Sequence, residues 1–165
     1  MIRMATIEDA KRICEIYNPY ILTTAVTFEA LEVSEAEMAS RIQTRLEKYA
    51  WFVHEDEDTG IVDGYAYAGL WRERQAYRFT AEVTVYVCSE CQGKGIGKSL
   101  YSVLIDTMRN KGFQVLVAGI ALPNENSIAI HEKMGFEKVA TFHNVGFKFD
   151  QWMDIGFWEL QLNQI

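Results

Sequence analysis

Gln92-Gly93-Lys94-Gly95-Ile96-Gly97-Lys98-Ser99 joins two runs of different periodicity, and its reading decides the fold. Before it, Val83-Thr84-Val85-Tyr86-Val87 is β-branched and reads as a strand. After it, Leu100, Val103, Leu104 and Met108 fall on one helical face. Glycines on alternate positions, flanked by Lys94 and Lys98, therefore form a strand-to-helix turn. Such a turn leaves backbone N–H groups bare at a helix N-terminus, where a phosphate or pyrophosphate is stabilised.

Spacing narrows the ligand. A Walker A loop ending at Gly97-Lys98-Ser99 would need its first glycine at Gln92. A dinucleotide fingerprint beginning at Gly93 and Gly95 would need its third glycine at Lys98. What remains is Q-x-x-G-x-G, with Gln92, Gly95 and Gly97 in place. This hexapeptide resembles the acetyl-coenzyme A pyrophosphate loop of the GNAT superfamily of N-acetyltransferases.

A second motif follows in order. Asn124-Glu125-Asn126-Ser127-Ile128-Ala129-Ile130-His131-Glu132-Lys133-Met134-Gly135-Phe136 resembles the other GNAT signature, N-x-x-[AS]-x-x-x-Y-x-x-x-G-F, with histidine at the tyrosine position. The context T-A-E-V-T-V-Y-V, the L-P-N before the second motif and the closing G-F-K-F-D-Q-W-M-D-I-G-F-W narrow the resemblance further. They are similar to the phosphinothricin/methionine-sulfoximine acetyltransferase branch. The likeness is strongest from Trp71 onward and looser from Ile21 to Gln43.

Composition bounds the rest. A chain of 165 residues, 49% hydrophobic and 24% charged, suits one domain over 1–165 with a real core. A net charge of −7 argues against nucleic acid and against an anionic membrane surface. Arg3, Glu8, Asp9, Lys11 and Arg12 interrupt any signal-peptide pattern, and the longest apolar stretch, Val115 to Leu122, is too short to span a bilayer. With three cysteines and no disulfide framework, a cytoplasmic protein is expected. Cys88-Ser89-Glu90-Cys91 lacks a second pair of ligands at zinc spacing, so no metal is expected.

Along the chain, Thr6 to Asp9 caps a helix with Ala10, Ile13, Cys14 and Tyr17 on its apolar face, and Asn18-Pro19 interrupts it. Ser34 opens a second helix through Met38, Ile42 and Leu46. Strands are expected at 51–55, 62–70, 80–87, 115–121, 138–142 and 155–162, with Gly64, Ala66 and Ala68 leaving room on one face. Further helices span 99–109, closed by Gly112, and 127–134, capped by Asn126 and ended by Gly135. This order implies an α/β (mixed α+β) protein. The GNAT resemblance makes it a central, mostly antiparallel, twisted sheet of about seven strands with about four helices.

The resemblance also implies a chemistry: direct transfer of acetyl from acetyl-coenzyme A to the α-amine of a small amino-acid analogue. By resemblance, Val85, Tyr86 and Val87 hold the pantetheine arm through their main chain. Gly93, Lys94, Gly95, Ile96, Gly97 and Lys98 hold the pyrophosphate, and Asn124 bonds the arm. Glu82 lies on the face of Thr84 and Tyr86, opposite Ala81, Val83, Val85 and Val87. Its matching context makes it the base, since only a neutral amine attacks. His131 is implied as the acid for the leaving thiolate, with a packed helical histidine as the alternative. The polar run from Trp71 to Arg78 resembles the substrate loop and offers Arg72 and Arg74 for a carboxylate. Phe28 and Glu29 are candidates for the opposite wall. Phe147, Phe149, Trp152, Phe157 and Trp158 read as strand packing first, with a pocket wall or a subunit interface as alternatives. The resemblance also implies a homodimer. A GNAT enzyme with another amine specificity and a non-catalytic acyl-coenzyme A-binding module stay open.

Overall fold

The computed structural model describes residues 1–163. Its elements are β1 (Ile2–Met4), α1 (Ala10–Thr23), α2 (Glu35–Leu46), β2 (Trp51–Glu55), β3 (Val62–Leu70) and β4 (Thr80–Val87), followed by α3 (Ile96–Asn110), β5 (Val115–Leu122), α4 (Glu125–Lys133), β6 (Glu137–Lys148) and β7 (Gln151–Gln161). The strands form a seven-stranded sheet in the order β1-β2-β3-β4-β5-β7-β6. All neighbours are antiparallel except β4 and β5, which run parallel. This is the mixed, mostly antiparallel sheet the sequence implies.

Alternation along the strands sorts two cores. Ala66, Ala68, Ala81 and Val83 face α3, whose Leu100, Leu104 and Met108 are fully buried. Small residues let that helix sit close: a Cβ on Gly64 would stand 2.9 Å from Ile96 Cγ2. Trp51, Val53 and Tyr65 face the other way, with Tyr86 partly buried beside them, against Ile13, Tyr17 and Ile21 of α1 and Met38 and Ile42 of α2. Ser34 caps α2 as expected, its side chain accepting from Glu37 N at 3.2 Å.

Four expectations are corrected. The first helix is not broken at Asn18-Pro19; α1 continues through Pro19 to Thr23. At its C-terminal end the Thr23 and Thr24 hydroxyls bond the last-turn carbonyls of Pro19 and Tyr20 at 2.7 and 2.6 Å. Asn18 also clasps the Val33 backbone from both its amide atoms. The third helix starts at Ile96, inside the glycine loop, rather than at Ser99. The fourth is capped by Asn124, which accepts from Ser127 N at 3.2 Å, rather than by Asn126.

The last two strands are also longer than their apolar pattern. They are joined by a two-residue turn in which Phe149 and Asp150 have φ of +51° and +57°. Pairing to each other, rather than burial, keeps this exposed hairpin extended. β1 adds a three-residue edge strand too short to show a period.

Candidate active site

The parallel pair opens the site. β4 and β5 pair at Thr80↔Val115, Ala81↔Leu116 and Glu82↔Val117, and no further. Beyond Glu82 the strands diverge, β5 staying with β7 while β4 stays with β3. A cleft of about 1030 Å³ runs along this fork. Val83 to Val87 line one side, and Gly119, Ile120 and Ala121 line the other.

The glycine loop closes one end of the cleft. Gly93 and Gly95 have φ of +79° and +83°, a region that L side chains rarely adopt, and open space stands where their side chains would be. Gly95 is the residue before α3, so the first N–H groups of that helix lie on the cleft. Gly97 is there for contact: a Cβ would stand 2.8 Å from Ile130 Cδ1 of α4. Gln92, Gly93, Gly95, Ile96, Gly97 and Lys98 all line the cleft, whereas Lys94 is exposed beside it. Tyr20, carried by the unbroken α1, ties this end together. Its hydroxyl donates to the Val87 carbonyl at 2.6 Å and accepts from Gln92 Nε2 at 2.8 Å.

At the crotch of the fork stands Glu82. No protein donor reaches its half-buried carboxylate among the described residues. Burial pushes its pKa up, and the nearby Arg45 charge works against that push. A carboxylate with a raised pKa facing a cleft is suited to accept a proton.

His131 lines the same cleft but is almost wholly buried, and both of its ring nitrogens are engaged. Nδ1 lies 2.6 Å from the Ser127 carbonyl and Nε2 lies 2.8 Å from the Tyr101 hydroxyl. A carbonyl only accepts, so Nδ1 carries the proton and Nε2 accepts from Tyr101. Burial also holds the ring's pKa below its ordinary value, against the pull of the Ser127 carbonyl. The imidazole is therefore neutral, and Tyr101 lines the cleft beside it. Asn124 spends its side-chain oxygen on the α4 cap and lines the cleft as well.

The other end of the cleft is built from side chains of distant segments. Val26, Thr27 and Phe28 from the α1–α2 connection meet Tyr67, Trp71, Arg72, Ile155 and Phe157. Arg72 lies over the Trp71 ring at 5.0 Å. Other expected wall residues stand elsewhere. Arg74 is exposed, starts a 3₁₀ turn and does not line the cleft.

Glu29 is outside the lining too, because its carboxylate is held by both Arg41 terminal nitrogens at 2.7 and 3.2 Å and by the Tyr17 hydroxyl. Burial alone would push Glu29 up, but these partners hold it below the usual carboxylate range. Lys148 of β6 completes the brace, donating to the Thr27 carbonyl at 2.8 Å. Phe28 packs where a Gly146 side chain would be. Among the aromatics of the last hairpin, Phe157 lines the cleft and Trp158 is core, while Phe147, Phe149 and Trp152 are 59%, 55% and 67% exposed.

Cys88 and Cys91 are free thiols at the end of β4. Among the described residues no cluster of His, Cys, Asp or Glu stands ready to hold a metal. Nor, among the described residues, is any helix long and apolar enough to cross a membrane.

A forked parallel pair, a glycine-rich helix start on the cleft and a carboxylate at the crotch define an acyl-transferring enzyme of the GNAT class. The family described as "Acetyltransferase (GNAT) domain" matches residues 2–156, and the chain belongs to it. At 40% identity, over 96% of this chain and 85% of the relative, it is similar to phosphinothricin N-acetyltransferase of Streptomyces viridochromogenes. It is 39% identical to the L-methionine sulfoximine/L-methionine sulfone acetyltransferase of Salmonella typhimurium, over 99% of this chain and 95% of that one. Among solved structures, the Salmonella typhimurium acetyltransferase yncA with its cofactor acetyl-CoA superposes at a TM-score of 0.96. It shares 40% identity, covering 100% of this chain and 95% of that one. A phosphinothricin acetyltransferase from Sinorhizobium meliloti in complex with acetyl-CoA gives 0.94 and 40%, covering 99% and 88%.

Proposed function

We propose that this protein is an acetyl-coenzyme A-dependent N-acetyltransferase. Its acceptor is the α-amine of a small amino-acid analogue such as phosphinothricin, methionine sulfoximine or methionine sulfone, and transfer is direct, within a ternary complex. One observation carries the reading: the cleft runs unbroken from the glycine loop, past Glu82, to a wall bearing Arg72. The relatives with matching names and the neighbours solved with acetyl-CoA support it.

In this scheme the N–H groups from Gly93 to Lys98 take the pyrophosphate, with Lys94 and Lys98 adding charge. The unpaired edge of β4 at Val85, Tyr86 and Val87 holds the pantetheine arm as an added strand, and the Asn124 amide bonds it. Those N–H groups also polarise the thioester carbonyl. Glu82 removes the proton from the amine, directly or through a water, and the neutral amine attacks. His131 has no proton to give, since its Nδ1–H is spent on the Ser127 carbonyl and its Nε2 accepts from Tyr101. It therefore orients Tyr101, and the thiolate leaves to take up the proton that Glu82 collected from the amine.

Arg72 meets the acceptor's carboxylate, and Phe28 packs its side chain. Glu29 serves by bracing the wall. One domain over 1–165 contains the whole site. The protein works as a homodimer, its contact made by the exposed Phe147, Phe149 and Trp152 of the β6–β7 hairpin. Sedimentation of the wild type and of Trp152→Ser tests that contact.

Thiol release from acetyl-coenzyme A over a panel of amines tests the activity. Release with methionine sulfoximine or phosphinothricin, but not with peptides or polyamines, is expected. Binding of acetyl-coenzyme A with no release on any amine would overturn it.

A further inference from the structure

Arg45 ends α2 on an aromatic shelf, its guanidinium 4.7 Å from the Tyr67 ring centre and 5.6 Å from that of Trp51. It makes no ion pair or side-chain hydrogen bond among the described residues; it rests on the shelf, and its charge reaches Glu29 as well as Glu82. The room it occupies comes from Gly69. A Cβ there would stand 3.2 Å from Arg45 Nε, and Gly69 is the cross-strand partner of Glu82. Any side chain at position 69 would enter the space beside Glu82 that the arginine now uses.

We propose that Arg45 is a positioning residue for the transfer, its charge seated beside Glu82 in the space vacated at Gly69 so that the base stays ionised. This rests on the reading of Glu82 as the base. The other titratable groups around Glu82 carry no competing charge there. Tyr67 and Tyr86 share its face of the sheet, Tyr17 comes from α1, and Tyr101 and His131 come from α3 and α4. Burial pushes Tyr17, Tyr86 and Tyr101 up and His131 down, which keeps all four neutral.

Of the remaining cations, Arg41 is neutralised by Glu29 and Glu37. Arg72 faces the acceptor end. Arg45 is the charge whose field opposes the upward push of burial on Glu82. A base that must be unprotonated gains from this: lowering its proton affinity keeps it competent at lower pH.

The test is the pH profile of kcat/KM for the acceptor. In Arg45→Met the shelf packing remains and the charge is lost, so the acid limb moves up by about 1 pH unit. Arg45→Lys keeps the limb near its wild-type position. Gly69→Ala, with Arg45 present but displaced, moves the limb in the same direction by less, and it carries the test if Arg45→Met does not fold. An unmoved limb in both Arg45→Met and Gly69→Ala overturns the proposal. So does a raised acceptor KM with an unmoved limb, which would make Arg45 a substrate contact. Glu82→Gln separates the two readings: if the acid limb survives in that variant, Glu82 is not the base.

Discussion

The two ends of the cleft are built from different materials. The donor end is main chain: glycines at positive φ, the first turn of α3 and the free edge of β4. The acceptor end is side chains, with Phe28, Tyr67, Trp71, Arg72 and Phe157 converging from segments far apart in sequence. A backbone cradle constrains residue type at fixed spacing, because glycine adopts the left-handed conformation at the least cost. A side-chain wall can be rebuilt by exchanging residues. On the proposed function, the donor end therefore suits a ligand shared by a superfamily, and specificity is expected at the acceptor end.

Substitutions at the join and at each end test this contrast. At the join, Glu82→Gln lowers kcat on the order of 10²- to 10⁴-fold at neutral pH, the range for a lost general base. Calorimetry on the same variant should find acetyl-coenzyme A binding unchanged. Loss of binding would place Glu82 on the donor side instead.

At the donor end, Gly95→Val forces a β-branched residue to φ +83°. A left-handed conformation costs an L residue roughly 1–2 kcal/mol, so acetyl-coenzyme A should bind about tenfold more weakly. The acceptor KM should not move. A smaller donor-side effect is expected from Tyr20→Phe, which removes the hydroxyl bonded to Val87 and Gln92. At about 1 kcal/mol for a hydrogen bond, acetyl-coenzyme A affinity falls roughly fivefold.

At the acceptor end, Glu29→Gln loosens the brace behind Thr27 and Phe28. The acceptor KM should rise about twofold while acetyl-coenzyme A affinity stays fixed, in keeping with the modest worth of a part-exposed ion pair. Glu29 is held below the usual carboxylate range in the folded protein. Its contribution to stability is thus full above the unfolded value of about 4.3 and is lost as pH falls through the lower folded value. Urea melts of wild type and Glu29→Gln should differ at pH 7 and converge in acid.

The same contrast explains what could be read from the chain. Gln92 to Ser99 and the strand before it are local signals, so the loop, the strand and the face occupied by Glu82 were all legible. Tyr101 reads only as one more residue of an amphipathic helix; its bond to His131 spans 30 residues and exists only in the fold. Arg45 looks like a solvated residue in the last turn of a helix until β3 brings Gly69 beneath it. Arg74 is offered by the likeness of its run to a substrate loop and Glu29 as part of the opposite wall; in the fold Arg74 is exposed and Glu29 is held by Arg41, both outside the cleft lining. Pro19 marks a break by local rules, but the hydroxyls of the next turn and the Asn18 side chain bonded to the Val33 backbone anchor the helix that delivers Tyr20.

Direct transfer at the fork is most sharply tested by initial velocities with acetyl-coenzyme A and methionine sulfoximine, each varied at fixed levels of the other. Intersecting double-reciprocal lines are predicted, together with no acetylated protein by mass spectrometry when acetyl-coenzyme A is supplied alone. Parallel lines and an acetylated enzyme would contradict a ternary complex and the role given to Glu82 within it.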